Sequence, residues 1–206
     1  MMAFRPSWSD YLPLWLLKTM GLAEHTGPNL WRVRADFEEI LRAMQRSADR
    51  QKTLAAHGAL MSDERLQVVV TDLCDLTALE GRILVHGEEE SSGRTYLVLE
   101  GTDARIHYLY YTPEMAATRN RGALRTNSFI RLRKFTGGSP ALEIDDMGDS
   151  EAILRNKHHL RETAERLIRR RIILQEGGWN GWLGRYQKAL RAAATLESQR
   201  SAKARD

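Results

Sequence analysis

The spacing of apolar side chains changes period twice along these 206 residues, and this constrains the fold more than any other feature. Up to about residue 62 apolar residues recur every three or four positions, the signature of helices with one buried stripe. From Leu66 they fall into short runs rich in β-branched and aromatic residues, "LQVVV", "GRILVHGEE", "RTYLVLEGT", "ARIHYLYYT", "SFIRLRKF" and "ALEID", bounded by Gly, Ser, Asp or Asn. From Asp149 the helical spacing returns through Ile153, Leu154, Leu160, Ala164, Leu167 and Ile168. The expectation is an α+β chain in three parts: helical 1–62, a small β-barrel of SH3-like or OB-like type over 63–148, and helical 149–206 with a frayed basic C-terminus. The polar segment 114–128 interrupts the strands as a basic loop with one helical turn.

The first helical part has a recognisable order. A helix from Trp8 to Met20 stops at Gly21, and two short strands around Leu22–Glu24 and Leu30–Val33 flank the turn "HTGPN". A further helix, capped by Asp36, runs to about His57. Helix, ribbon, helix is the order of a partial winged-helix-like unit. "LIRRRIILQEGGWNGWLGRYQKALRAA" echoes it, which implies a second such unit after the barrel. Each unit reads in one of two ways: a recognition helix with a wing on DNA, or a helix and hairpin that dock on protein.

Charge separates these readings from other classes. The formal charge is only +4, but it is segregated: net −6 over 63–113, +5 over 114–135, −4 over 136–150 and +7 over 151–206. Such blocks point to a polyanion partner. The residues expected to contact nucleic acid are Lys18, Arg32 and Arg34 with His25 and Asn29 in the first unit. In the middle part they are Arg119, Arg121 and Arg125 in the basic loop and Arg131 and Arg133 on one face of the next strand. In the last part they are Arg169, Arg170, Arg171 and Lys188. Tyr108 and Tyr110 share a strand face and either stack on bases or belong to a half-buried strand. On the docking reading the anchors are Trp31 on one wing and Trp179 or Trp182 on the other.

Catalysis finds little support. Cys74 is the single cysteine, which removes structural disulfides and multi-cysteine metal motifs and fits a reducing, cytoplasmic setting. His86, His107, His158 and His159 are scattered, and the adjacent pair diverges on a helix. No phosphate-binding glycine loop or hydrolase motif occurs. No enzyme activity, cofactor, metal or small-molecule substrate is expected. The N-terminus "MMAFRPSWSDYLPLWLL" makes a poor signal peptide, and no apolar run approaches the roughly 20 residues needed to span a bilayer, so no membrane insertion is expected.

In order, "LLKTMGLAEHTGPNLWRVRADFEEILRAM", "GRILVHGEEESSGRTYLVLEGTDARIHYL" and "HHLRETAERLIRRRIILQEGGW" resemble the C-terminal region of relaxase/mobilization nucleases of conjugative plasmids, of the broad-host-range and Ti-plasmid type. In that family the nicking tyrosine and the metal-binding histidines sit in a separate N-terminal domain, to which nothing here corresponds, so no catalytic residue carries over. The resemblance implies a bacterial cytoplasmic accessory domain of conjugative DNA processing. Its implied partners are DNA, relaxosome proteins or the type IV secretion coupling protein.

Overall fold

The computed structural model describes residues 2–4, 11–28, 30–90, 92–134, 142–170, 172 and 177–203. The chain divides into two compact units, Met1–Lys52 and Thr53–Asp206.

In the first unit, α1 (Tyr11–Thr19) ends where Gly21 takes φ +71°, a left-handed conformation that costs glycine no Cβ clash. The amides of Gly21 and Leu22 bond back to the Lys18 and Leu17 carbonyls, closing the helix end. β1 (Met2–Phe4), β2 (Ala23–Gly27) and β3 (Leu30–Val33) form an antiparallel sheet with β3 in the middle. Helix, hairpin and helix thus follow in the expected order; Trp8 and Asn29 lie outside the described residues. The buried core is small: Leu14, Ala23 and Trp31, with Leu17 and Val33 against them. The long α2 (Phe37–Ala56) opens with Glu38 and Glu39, which suit its N-terminal dipole, and buries none of its residues.

The second unit is built on a six-stranded sheet in the order β4-β7-β6-β5-β8-β9. The strands are β4 (Gln67–Val70), β5 (Ala78–Glu88), β6 (Thr95–Gly101), β7 (Arg105–Tyr110), β8 (Ser128–Lys134) and β9 (Leu142–Asp149). All neighbours are antiparallel except β4 and β7. Each apolar run singled out in the sequence contains a strand. Between β7 and β8 stands α3 (Pro113–Asn120), longer than the single turn expected; Thr112 caps it by accepting from the Met115 amide, and proline occupies its first turn. After β9 come α4 (Ser150–Ile153), α5 (Lys157–Arg169) and α6 (Gly181–Lys203).

Side-chain alternation along the strands makes two cores. On one face Leu84, Tyr96, Val98, Ile106, Tyr108 and Phe129 pack against Leu160 and Ala164 of α5 and Trp182, Leu183, Tyr186 and Leu190 of α6. On the other, Leu79, Ile83, Leu97, Leu99, Leu109, Ile130 and Leu132 meet Met115 of α3 and Leu124 of the loop after it. Three differences from the sequence reading follow. The sheet is open: among the described residues no ladder joins its edge strands β4 and β9, and helices and a loop, not closure into a barrel, cover its faces. The helical segment from Asp149 also shares a core with the sheet, so residue 149 marks no boundary between cores. Among the described residues no strand separates α5 from α6, while residues 173–176 of the expected second wing lie outside them. No described helix is long and apolar enough to cross a membrane.

Candidate nucleic-acid interface

Of the arginines and lysines expected to contact a polyanion, Arg119 in the last turn of α3 and Arg121 and Arg125 in the α3–β8 loop remain unneutralised. Arg119, Arg121 and Arg125 are exposed, and among the described residues none makes an ion pair with a carboxylate. Arg121 Nη2 donates to Thr118 Oγ1 at 3.0 Å and Arg125 Nε to the Gly122 carbonyl at 2.9 Å, both neutral acceptors within the loop. The Arg119 guanidinium lies 5.7 Å from the centre of the Tyr111 ring.

Beneath this loop Tyr111 and His86 hold each other, with Tyr111 Oη 2.7 Å from His86 Nδ1. Burial, helped by the charge of Arg119, pushes the His86 imidazole down to about 4, so it is neutral near pH 7 and one hydrogen is shared between its Nδ1 and the Tyr111 hydroxyl. Burial also raises the Tyr111 phenol, keeping it protonated and uncharged. The loop therefore rests on a neutral, hydrogen-bonded base that does not attenuate its positive charge.

The loop forms one wall of a cleft of about 570 Å³, whose other wall is the end of β9. Pairing between β8 and β9 shifts register there, from Ile130 opposite Asp146 to Ser128 opposite Asp149, and Gly148 at φ +80° takes up the extra residue of this bulge. Both Asp146 oxygens are committed to backbone, Oδ2 accepting from the Leu124 amide at 2.6 Å and Oδ1 from the Gly148 amide at 2.9 Å. Leu124 and Asn127 take positive φ, 55° and 66°, which folds the loop tightly enough to send the Leu124 side chain into the core and leave Arg121 and Arg125 lining the cleft.

The other expected contacts are placed differently. Arg131 is buried: its Nε donates to Glu80 at 2.7 Å, and Arg166 of α5 pairs with the same carboxylate at 2.9 Å, so it offers nothing to a phosphate. Arg133 is matched by Asp145 at 2.9 Å and Glu143 at 3.3 Å on β9. The Tyr108 ring is fully buried, stacked on Tyr96 at 4.6 Å, while Tyr110 donates to Glu89 under the guanidinium of Arg94. The pair thus belongs to a strand covered on both faces and is not a base-stacking platform. Arg169 lies at the end of α5, 3.9 Å from Glu165, and Arg170 caps that helix, exposed; Arg171 falls outside the described residues. Lys188 is exposed on α6. In the first unit Lys18 and Arg32 are exposed, whereas Arg34 grips Asp36 through two hydrogen bonds of 2.9 and 2.7 Å, holding that carboxyl below its usual range.

The tryptophans proposed as docking anchors face inward. Trp31 and Trp182 are buried, and the Trp182 indole N–H donates to the Ser150 carbonyl at 2.9 Å; Trp179 is half-buried beneath Arg65. The sequence reading missed the bulge at Gly148 and the part played by Asp146. The run "DDMGD" carries both, a glycine among carboxylates at the end of an apolar strand.

Fold and site together define an α+β protein with an arginine-walled cleft at one end of its sheet. The family described as "Protein of unknown function (DUF3363)" matches residues 13–134, more than half of the chain, and the chain belongs to it. The matched stretch includes the whole Arg119–Arg125 loop. No curated protein and no solved structure matches.

Proposed function

We propose that this chain is a non-catalytic accessory domain of conjugative DNA processing, akin to the C-terminal region of relaxases, that contacts DNA through the α3–β8 loop. The observation that carries the DNA contact is the run of Arg119, Arg121 and Arg125, exposed and without a carboxylate partner among the described residues, with Arg121 and Arg125 lining an open cleft. The conjugative setting rests on the sequence resemblance alone. On this reading the helix, hairpin and helix of the first unit are a partial winged-helix-like element that adds Lys18 and Arg32.

Phosphate contacts release counterions, so affinity falls with salt by roughly 0.9 log unit per contact for duplex and 0.7 for single strands. The test is fluorescence anisotropy of labelled single- and double-stranded DNA at several salt concentrations, comparing the wild type with Arg119→Gln/Arg121→Gln/Arg125→Gln and with Arg169→Gln/Arg170→Gln. The loop variant should bind more weakly, with a salt slope lower by about 2.7 units on duplex and about 2.1 on single strands. Unchanged binding by the loop variant overturns the assignment.

A second reading, docking on a relaxosome protein or the coupling protein, has one observation in its favour. Trp15 and Leu16 stand adjacent on α1, 63% and 54% exposed. Such a module would use α1 in place of Trp31, Trp179 or Trp182.

A further inference from the structure

The cleft beside the arginine loop has a second wall, and its chemistry differs from that of the first. Facing Arg121 and Arg125 across it are Asp146 and Asp149. Asp146 is fully engaged with backbone amides, but Asp149 uses only Oδ1, which accepts from the Glu151 amide at 3.2 Å. Among the described residues its Oδ2 accepts no hydrogen bond. The cleft thus presents cationic donors on one side and one uncommitted anionic acceptor on the other.

We propose, resting on the DNA-contact reading above, that this cleft holds one unpaired nucleotide, its phosphate on Arg121 and Arg125 and its base edge on Asp149, and that it selects cytosine over thymine. The volume of about 570 Å³ lies within the usual range for small-ligand sites, roughly 300–1,000 Å³. In a duplex the base edges are stacked and face the grooves, so a concave site between two walls receives a base only from a single strand or one swung out of the stack. No aromatic ring lines this cleft, so the base is read by hydrogen bonds. Cytosine offers its N4 amine, a donor that pairs with a carboxylate. Thymine places a carbonyl oxygen at that position, and its one donor on this edge, N3–H, stands between two carbonyl oxygens that repel the Asp149 carboxylate, so its pairing is the weaker.

The experiment measures binding of oligodeoxycytidylate, oligodeoxythymidylate of equal length and a mixed duplex to the full chain, at mildly alkaline pH where the cytidylate strand stays unfolded. It is repeated with Asp149→Asn. Asparagine caps helices as well as aspartate, so the α4 start survives, and its amide can donate to a thymine carbonyl. The expected result is about tenfold tighter binding of the cytidylate strand over the thymidylate strand, the low end for one good base contact, with the ratio collapsing towards one in Asp149→Asn. The salt slope of the cytidylate complex should be the same in both proteins, because the phosphate contacts are unchanged. Equal affinity for the two strands, a ratio that survives Asp149→Asn, or a duplex bound as tightly as the cytidylate strand each overturns this proposal while salt-dependent binding leaves the DNA-contact reading standing. Absence of binding to any DNA at low salt overturns both.

Discussion

Arg121 and Arg131 carry the same charge in the same basic stretch, yet one faces solvent and the other is sealed against Glu80. Sequence spacing could not separate them, because the partner that neutralises Arg131 comes from β5 and a second claimant on that partner, Arg166, from α5. The two arginines should answer to different assays. Removing one member of a buried ion pair strands the other in a medium that solvates it poorly, at a cost of about 3–5 kcal/mol. Glu80→Ala, which leaves both Arg131 and Arg166 without their carboxylate, should therefore lower unfolding stability by about that amount in urea titrations. Arg169→Gln, changing an exposed arginine 3.9 Å from its nearest carboxylate, should stay within about 0.5 kcal/mol of wild type. Equal effects would mean that the Glu80 cluster is solvated.

Among the elements, α6 starts at a tightly constrained backbone position. It begins at Gly181, φ +57°, where an added Cβ would lie 2.9 Å from Ser62 Cα. The close approach is required because Ser62 Oγ accepts from the Leu183 amide, while the Ser62 amide and hydroxyl donate to Glu100, fully buried and also held by Arg82. Gly181→Ala should cost about 1–3 kcal/mol, from the left-handed backbone and the clash together, and shift the thermal midpoint down; no shift would show that α6 slides without penalty. Nothing in "GGWNGWLG" distinguishes this glycine from its neighbours, since the contact that fixes it arrives from residue 62. The strands were legible because short runs of β-branched and aromatic residues bounded by turn formers mark strands buried on both faces, and α2 because its apolar residues keep helical spacing after Asp36. The open sheet was not legible, since an apolar face reads the same whether closure or a helix covers it. The arginine loop of the candidate site was visible as composition; its cleft was not, because the Gly148 bulge is a matter of register between β8 and β9.

For the molecule as a whole, the unequal cores set the order in which its parts open. Among the described residues the first unit buries four apolar side chains, Leu14, Leu22, Ala23 and Trp31, whereas the second buries two clusters on opposite faces of one sheet. Local opening free energy follows buried apolar contact, so native-state hydrogen exchange should find the β2 and β3 amides exchanging faster than those of β6 and β7. Equal protection would mean that the two units unfold as one.

The parallel pairing of β4 with β7 also bears on synthesis. A parallel partner requires a crossover, and here β5 and β6 are themselves the crossover, so β4 emerges from the ribosome before the strand it pairs with has been made. Until β7 is translated, the run from Val68 to Val70 is an apolar β-former without a ladder, the kind of segment that other nascent chains can capture. Even in the finished sheet β4 lies at an edge, with Val68 39% and Val70 53% exposed, so the first strand of this sheet to be made waits for the fourth and stays open to peeling away.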